Sequence, residues 1–220
     1  MPDGRESRQQ LVGPLLLVAA ALIAVVPWLH PNNTCKDWLQ KWGQLADVPM
    51  WLPIHQVAAA GFALAAVAGL MLAWLGPLSR IGLMGGAGLA AGYGMQAMLV
   101  VLHASAVSFL GRAFNAAAGD EARRLAIRLT AEAFVSYDVA VSGVATVLLS
   151  SGAVCTAWSL ASAGVFSRVV GLFMAGLGAM WGLAYFHISA GEWLPYTSLA
   201  LWLTGTGVFV ILAGRRQSMA

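Results

Sequence analysis

The amino-acid sequence predicts an all-α integral membrane protein, and two observations support this prediction. Of its 220 residues, 60% are hydrophobic and only 10% are charged, and the mean hydropathy is +0.77. This composition lies far outside that of ordinary soluble domains. In addition, six apolar stretches reach the length of about 20 residues that a helix needs to cross a bilayer core. We therefore expect residues 1–220 to form a single membrane domain with six transmembrane helices.

The six predicted spans are joined by polar connections that contain helix-terminating residues. Pro53 and Pro195 fall in the first turn of a span, where proline is tolerated, and Gly214 falls just after the last turn. Tryptophans such as Trp28 and Trp51 lie near the span ends, as they do at membrane–water interfaces. The predicted spans cover residues 11–29, 52–75, 81–104, 131–154, 168–190 and 194–213.

Two longer connections are predicted to lie on the same side of the membrane. Residues 105–130, between the third and fourth spans, contain Asp120 as a suitable N-cap, followed by an apolar stripe opposite three arginines. This amphipathic segment is expected to lie on the membrane surface or to extend the fourth span outward. In residues 30–51, Trp38 and Trp42 are one turn apart, which predicts that they dip into the lipid headgroups or cover the helix ends, with an ordinary surface loop as the third interpretation.

The distribution of basic residues sets the predicted orientation. They divide evenly between the two sides, but those on the side of the termini have few acidic neighbours, which favours the cytoplasm for both termini. In composition the chain resembles small six-span bacterial membrane proteins in general and no particular family, and we expect it to lie in a bacterial inner membrane. The net charge is +3, yet the basic residues form no continuous stripe, so we expect no nucleic-acid partner.

Polar residues within the predicted spans are the candidate functional residues, because such residues are costly in lipid. Tyr93, Gln96 and His103 are separated by three and seven residues and share one face of the third span. Asp138 begins a second polar stripe, at four-residue steps, on the fourth span. Both stripes should face protein, which predicts an interior site or groove. The simplest role for Asp138 is to pair with Arg128 or His103.

All four histidines are predicted to lie at one level, near the outer face of the membrane. Imidazoles from different helices at a matched depth are suitable ligands for b-type haem, copper or zinc. For haem, we expect His103 and His187 as the axial pair and His55 as the third choice, with glycine-rich faces on the third and fifth spans making room for the macrocycle. For a metal ion, the predicted ligands are His30, His55, His103 and His187. Alternatively, these histidines only hydrogen-bond between helices.

These residues predict a small membrane subunit that binds haem or a metal near the outer leaflet for electron transfer. The subunit would be part of a membrane oxidoreductase, and its redox partner would be quinone. Two other classes remain open. One is a non-catalytic accessory subunit that packs against other membrane subunits, and the other is a transporter of a small solute or proton with Asp138 on its path. The sequence contains no nucleophile elbow, phosphate loop or zinc-protease motif, so we do not expect a hydrolase or a kinase.

Overall fold

The computed structural model confirms the all-α class over the residues that it describes, which are 4–29, 37–74, 80–187 and 193–218. Side chains are described for residues 11–29, 37–74, 80–183 and 197–215. In this part of the chain the helices are α1 (Gly4–Leu29), α2 (Trp38–Leu45), α3 (Trp51–Leu72), α4 (Arg80–Ala116), α5 (Glu121–Ser162), α6 (Arg168–His187) and α7 (Trp193–Ser218).

Five of the described helices are long and apolar enough to cross a membrane, and α6 adds a shorter apolar stretch, Arg168–Leu183. The five stretches lie within α1, α3, α4, α5 and α7. Over the described residues, each of the six predicted spans lies wholly or mostly within one of these five helices or within α6, although the helix bounds differ from the predicted ones. Residue 75 at the end of the second predicted span, and residues 188–190 at the end of the fifth, lie outside the described residues.

The six long helices form a closed ring. Each packs on its neighbour along the chain, and α1 packs on α7. The interior of the ring is filled by large apolar side chains that are almost completely buried, among them Leu16, Phe62, Tyr93, Leu149 and Trp202. Membrane helices associate mainly through close packing, so a dense interior of this kind is what holds the ring together.

Helices α4 and α5 form an antiparallel hairpin that is longer than the spans predicted for it. They contain 37 and 42 residues, which correspond to about 55 and 63 Å, whereas a bilayer core is about 30 Å thick. At the turn, Gly119 has a φ of +88°, and the Asp120 side chain accepts a hydrogen bond of 3.0 Å from the Arg123 N–H. The predicted N-cap is confirmed. Residues 105–130 continue α4 and α5 instead of forming a helix of their own.

Helix α2 packs across the end of the ring where this turn lies, which we call the hairpin end. Side chains of α4 donate hydrogen bonds to carbonyl oxygens at this helix. Arg112 donates to the oxygen of Ala46, the residue that follows α2, at 3.2 Å, and Asn115 donates to the Gly43 oxygen at 3.1 Å. This packing agrees with one of the three roles predicted for this connection, the cover for the helix ends. Together with α3, α4 and α5 it encloses a second core, the α2 cluster, consisting of Leu39, Trp42, Leu45, Trp51, Ala104, Val107, Leu110, Phe114 and Ala131.

Candidate functional site: a histidine pair beneath helix α2

His103 and Asp138 meet between α4 and α5, beside the α2 cluster. The Nδ1 atom of His103 lies 3.0 Å from Oδ2 of Asp138, and the two side chains are 35% and 21% exposed. Of the two partners predicted for Asp138, His103 is the correct one. Arg128 instead donates to Asp37 at 3.1 Å. A carboxylate in a membrane helix is therefore paired inside the protein, as its cost in lipid requires.

His55, in the first turns of α3, lies next to this pair. Its side chain is buried, with 7% of its surface exposed. The centroids of the His55 and His103 rings are 6.4 Å apart, and the planes are inclined by 25°. Two of the histidines predicted as ligands are thus brought together from two neighbouring helices.

Oxygen acceptors hold one nitrogen of each imidazole. Nδ1 of His55 lies 2.6 Å from the carbonyl oxygen of Trp51, and Nδ1 of His103 faces the Asp138 carboxylate. Because these oxygens accept hydrogen bonds, a neutral imidazole carries its proton on Nδ1 and its lone pair on Nε2. Histidines that bind metal ions are commonly oriented in this way by a carbonyl or carboxylate behind them.

Aromatic side chains surround the histidine pair. The ring centroids of Trp42, Trp51 and Phe134 lie 6.0, 6.4 and 6.3 Å from that of His103, and Trp51 is only 4.2 Å from His55. Trp51 is 2% exposed, and its Nε1 donates to the Ala104 oxygen at 3.1 Å. The prediction that Trp51 belongs to an interfacial belt is therefore wrong, because its indole is enclosed by protein and hydrogen-bonded there.

Sequence reasoning missed Phe134 as part of the site, although a signal was present. Phe134 precedes Asp138 by four residues, so the two side chains share one face of α5. The predicted stripe begins at Asp138 and continues towards the C-terminal end of α5. Extending the stripe towards the N-terminal end of α5 leads to Phe134, one of the aromatic side chains beside His103.

The N-terminal end of α2 is attached to α5 through Asp37, which pairs with Arg128. This residue is the N-cap of α2, accepting hydrogen bonds from the backbone N–H groups of Leu39 and Gln40 at 2.9 and 3.2 Å. The bond from Gln40 lowers the pKa of Asp37 most, and it outweighs the opposing effect of partial desolvation. Leu39 and Arg128 lower the pKa further. Asp37 therefore stays charged, so that the cap and its ion pair with Arg128 keep α2 in place over His103.

The other predicted residues fall into two groups. Tyr93 and Gln96 are buried, with 1% and 9% of their surface exposed, so the polar face of α4 points into protein as predicted. His30 lies outside the described residues, and His187 ends α6 but its side chain is outside the described ones. Among the side chains that are described, no group of three or more His, Cys, Asp or Glu residues is arranged to hold a metal ion.

Comparisons with protein families, with curated proteins and with solved structures found no match to this chain. Its function is therefore argued from the site itself.

Proposed function

We propose that this chain is a six-span inner-membrane subunit that binds a transition-metal ion, copper in its electron-carrying form, through His55 and His103. The observation that supports this proposal is the facing pair of imidazoles, 6.4 Å apart, each with Nδ1 held by an oxygen acceptor. Imidazole is a suitable ligand for copper and zinc, and of these two only copper transfers electrons. Quinone in the surrounding lipid is the redox partner that we expect.

The spacing of the two rings suits a shared ion. Metal–imidazole bonds are about 2.0–2.1 Å long. Two imidazoles on opposite sides of one ion therefore have their ring centroids roughly 6 Å apart, close to the observed 6.4 Å. Binding would require both side chains to turn until their Nε2 lone pairs, which lie in the ring planes, point at the ion. Asp138 would keep its place behind His103, where it fixes the orientation of the imidazole ring. Water or other parts of the chain would complete the coordination.

A single ion is favoured over haem by the packing around the pair. The ring centroid of Trp51 lies 4.2 Å from that of His55 and 6.4 Å from that of His103, so a macrocycle beside these histidines would have to displace its indole. The pair predicted as axial ligands, His103 and His187, also has unequal depth. Gly182 of α6 packs against Ser150 of α5. Because α6 runs antiparallel to α5, the backbone of His187, five residues beyond Gly182, lies at a depth about two helical turns from that of Asp138.

The six-span arrangement is supported by the closed ring of six helices, because the apolar stretch of α6 lies between two spanning neighbours. Six spans place both termini on the side opposite the hairpin end. With the termini in the cytoplasm, the histidine pair lies near the outer leaflet. The parts of α4 and α5 nearest their turn then extend out of the membrane.

The test is metal analysis of the protein purified in detergent, together with absorption spectra of the oxidised and the dithionite-reduced sample. We expect one copper per chain in the wild type and loss of the metal in His55→Ala and in His103→Ala. His187→Ala and Ser142→Ala serve as matched controls within the ring, and both should retain the copper.

Two results would contradict this assignment. A sharp absorption band in the reduced sample that is lost in His103→Ala and His187→Ala would establish haem b in place of an ion. A featureless spectrum without stoichiometric copper or zinc would remove the cofactor altogether, and an accessory subunit or a transporter would then be the better interpretation.

A further inference from the structure

A small cavity lies inside the ring, between α4, α5, α6 and α7. Its volume is about 10 Å³, close to the minimum that holds one water molecule. Leu149, Leu177 and Leu199 supply apolar walls, and Tyr93 and Trp202 line it as well. The cavity is separate from the histidine pair, because His55, His103 and Asp138 are not among the residues that line it.

Two polar atoms of the lining residues have no hydrogen-bond partner within the part of the chain that the structure describes. They are the hydroxyl oxygen of Tyr93 and Nε1 of Trp202, and each of these residues is only 1% exposed. A buried polar group without a partner costs free energy, and the cost cannot be relieved by bulk water in the interior of a membrane protein. In native proteins most buried polar groups have a hydrogen-bond partner, either in the protein or in an ordered water molecule.

The chemistry of the two groups selects the ligand. The indole N–H of Trp202 only donates, whereas the phenol of Tyr93 donates or accepts. A ligand that bridges them must therefore accept a hydrogen bond from Trp202. No charged side chain is among the described residues that line the cavity, so the ligand is expected to be neutral. The volume of the cavity leaves room for one water molecule but not for a quinone headgroup or a larger solute.

We propose that this cavity binds one water molecule, held by Trp202 Nε1 and the Tyr93 hydroxyl. Ser198 also lines the cavity and offers its hydroxyl as a third partner, which brings the water within the two to four hydrogen bonds that buried waters make. The water joins α4 to α7 across the interior of the ring. It also extends the polar face of α4, formed by His103, Gln96 and Tyr93, into the middle of the ring.

X-ray radiolytic footprinting of the protein in lipid nanodiscs tests this proposal. Hydroxyl radicals formed from a bound water oxidise the side chains beside it, and peptide mass spectrometry measures the rate. We expect Tyr93 and Trp202 to be oxidised several-fold faster than Phe166, which is similarly buried at 3% exposure but does not line the cavity. Equal rates for the three residues would mean that the cavity is dry and would overturn the proposal.

A variant tests whether Trp202 holds the water. Trp202→Phe removes the N–H donor, so the oxidation of Tyr93 should fall several-fold. Trp158→Phe is the matched control, because Trp158 is 60% exposed on the outside of α5, and it should leave Tyr93 oxidation unchanged. Undiminished oxidation of Tyr93 in a folded Trp202→Phe protein would exclude a shared water. Neither measurement depends on metal binding, so both are independent of the proposed function.

Discussion

Asp138 contacts His103 at a position where a lone carboxylate would be poorly tolerated. The residue is within a helix that is apolar enough to cross a membrane, and its side chain is 21% exposed. Pairing reduces the cost of such a group. The same contact fixes the orientation of the imidazole, so Asp138 is a positioning residue for the proposed metal ligand.

We expect Asp138→Asn to weaken copper binding by about 10- to 100-fold, because the amide keeps the shape of the side chain but removes the charge behind His103. Affinity can be measured by competition with a chromogenic chelator. Glu132→Gln is the matched control: it removes a carboxylate from the exposed surface of the same helix, and affinity should not change. Wild-type affinity in Asp138→Asn would show that the contact serves folding only.

Helix α2 depends on its surroundings for its order, because a helix of 8 residues is marginal in isolation. Three attachments hold it: the Asp37 ion pair with Arg128, the hydrogen bonds from Arg112 and Asn115, and the close approach of its backbone to Gly111 of α4. A Cβ atom at Gly111 would overlap the carbonyl group of Trp42. Glycine at this position is therefore required by the docking of α2.

The substitution Gly111→Ala should destabilise the protein by about 1–3 kcal/mol, the usual cost of overpacking. It should also increase the solvent exposure of Trp42. Gly94→Ala on the same helix is the control, since a Cβ there has nothing within 4 Å, and it should leave stability unchanged or raise it slightly. Thermal unfolding and tryptophan fluorescence in detergent measure both effects. Equal melting temperatures for the two variants would argue against the docked α2.

At the scale of the whole molecule, the closed ring separates two sites of different character. The histidine pair lies at the hairpin end beneath α2, and the cavity of Tyr93 and Trp202 lies between the four helices from α4 to α7. Only the first has an acidic group and exposed edges. Exchange with a redox partner is therefore expected at the hairpin end.

The proposed orientation predicts opposite accessibility at the two ends of the ring. In a background of Cys35→Ser and Cys155→Ser, Ala118→Cys at the hairpin turn should react with a membrane-impermeant maleimide on intact cells. Ser167→Cys, in the exposed connection between α5 and α6, should react only after the membrane is permeabilised. The reverse pattern would place the histidine pair at the cytoplasmic leaflet, and labelling of both on intact cells would contradict the six-span arrangement.

Much of the fold follows from local properties of the sequence. Helix positions were predictable because a bilayer requires long apolar stretches with all backbone groups bonded internally. The Asp120 cap was predictable because the N-cap bond is made within three residues. The inward direction of Tyr93 and Gln96 followed from helical periodicity.

The contacts that make the site depend on how the helices are rotated and shifted against one another. Their surfaces are rich in small and apolar residues that allow many pairings, so the approach of His55 to His103 was not determined by spacing along the chain. The sequence by itself determined an all-helical chain with membrane-length apolar helices and polar faces turned inward. Only the tertiary structure decided that Trp51 and α2 enclose the histidine pair, and that Tyr93 and Trp202 meet one cavity, because these contacts join residues from helices far apart in sequence.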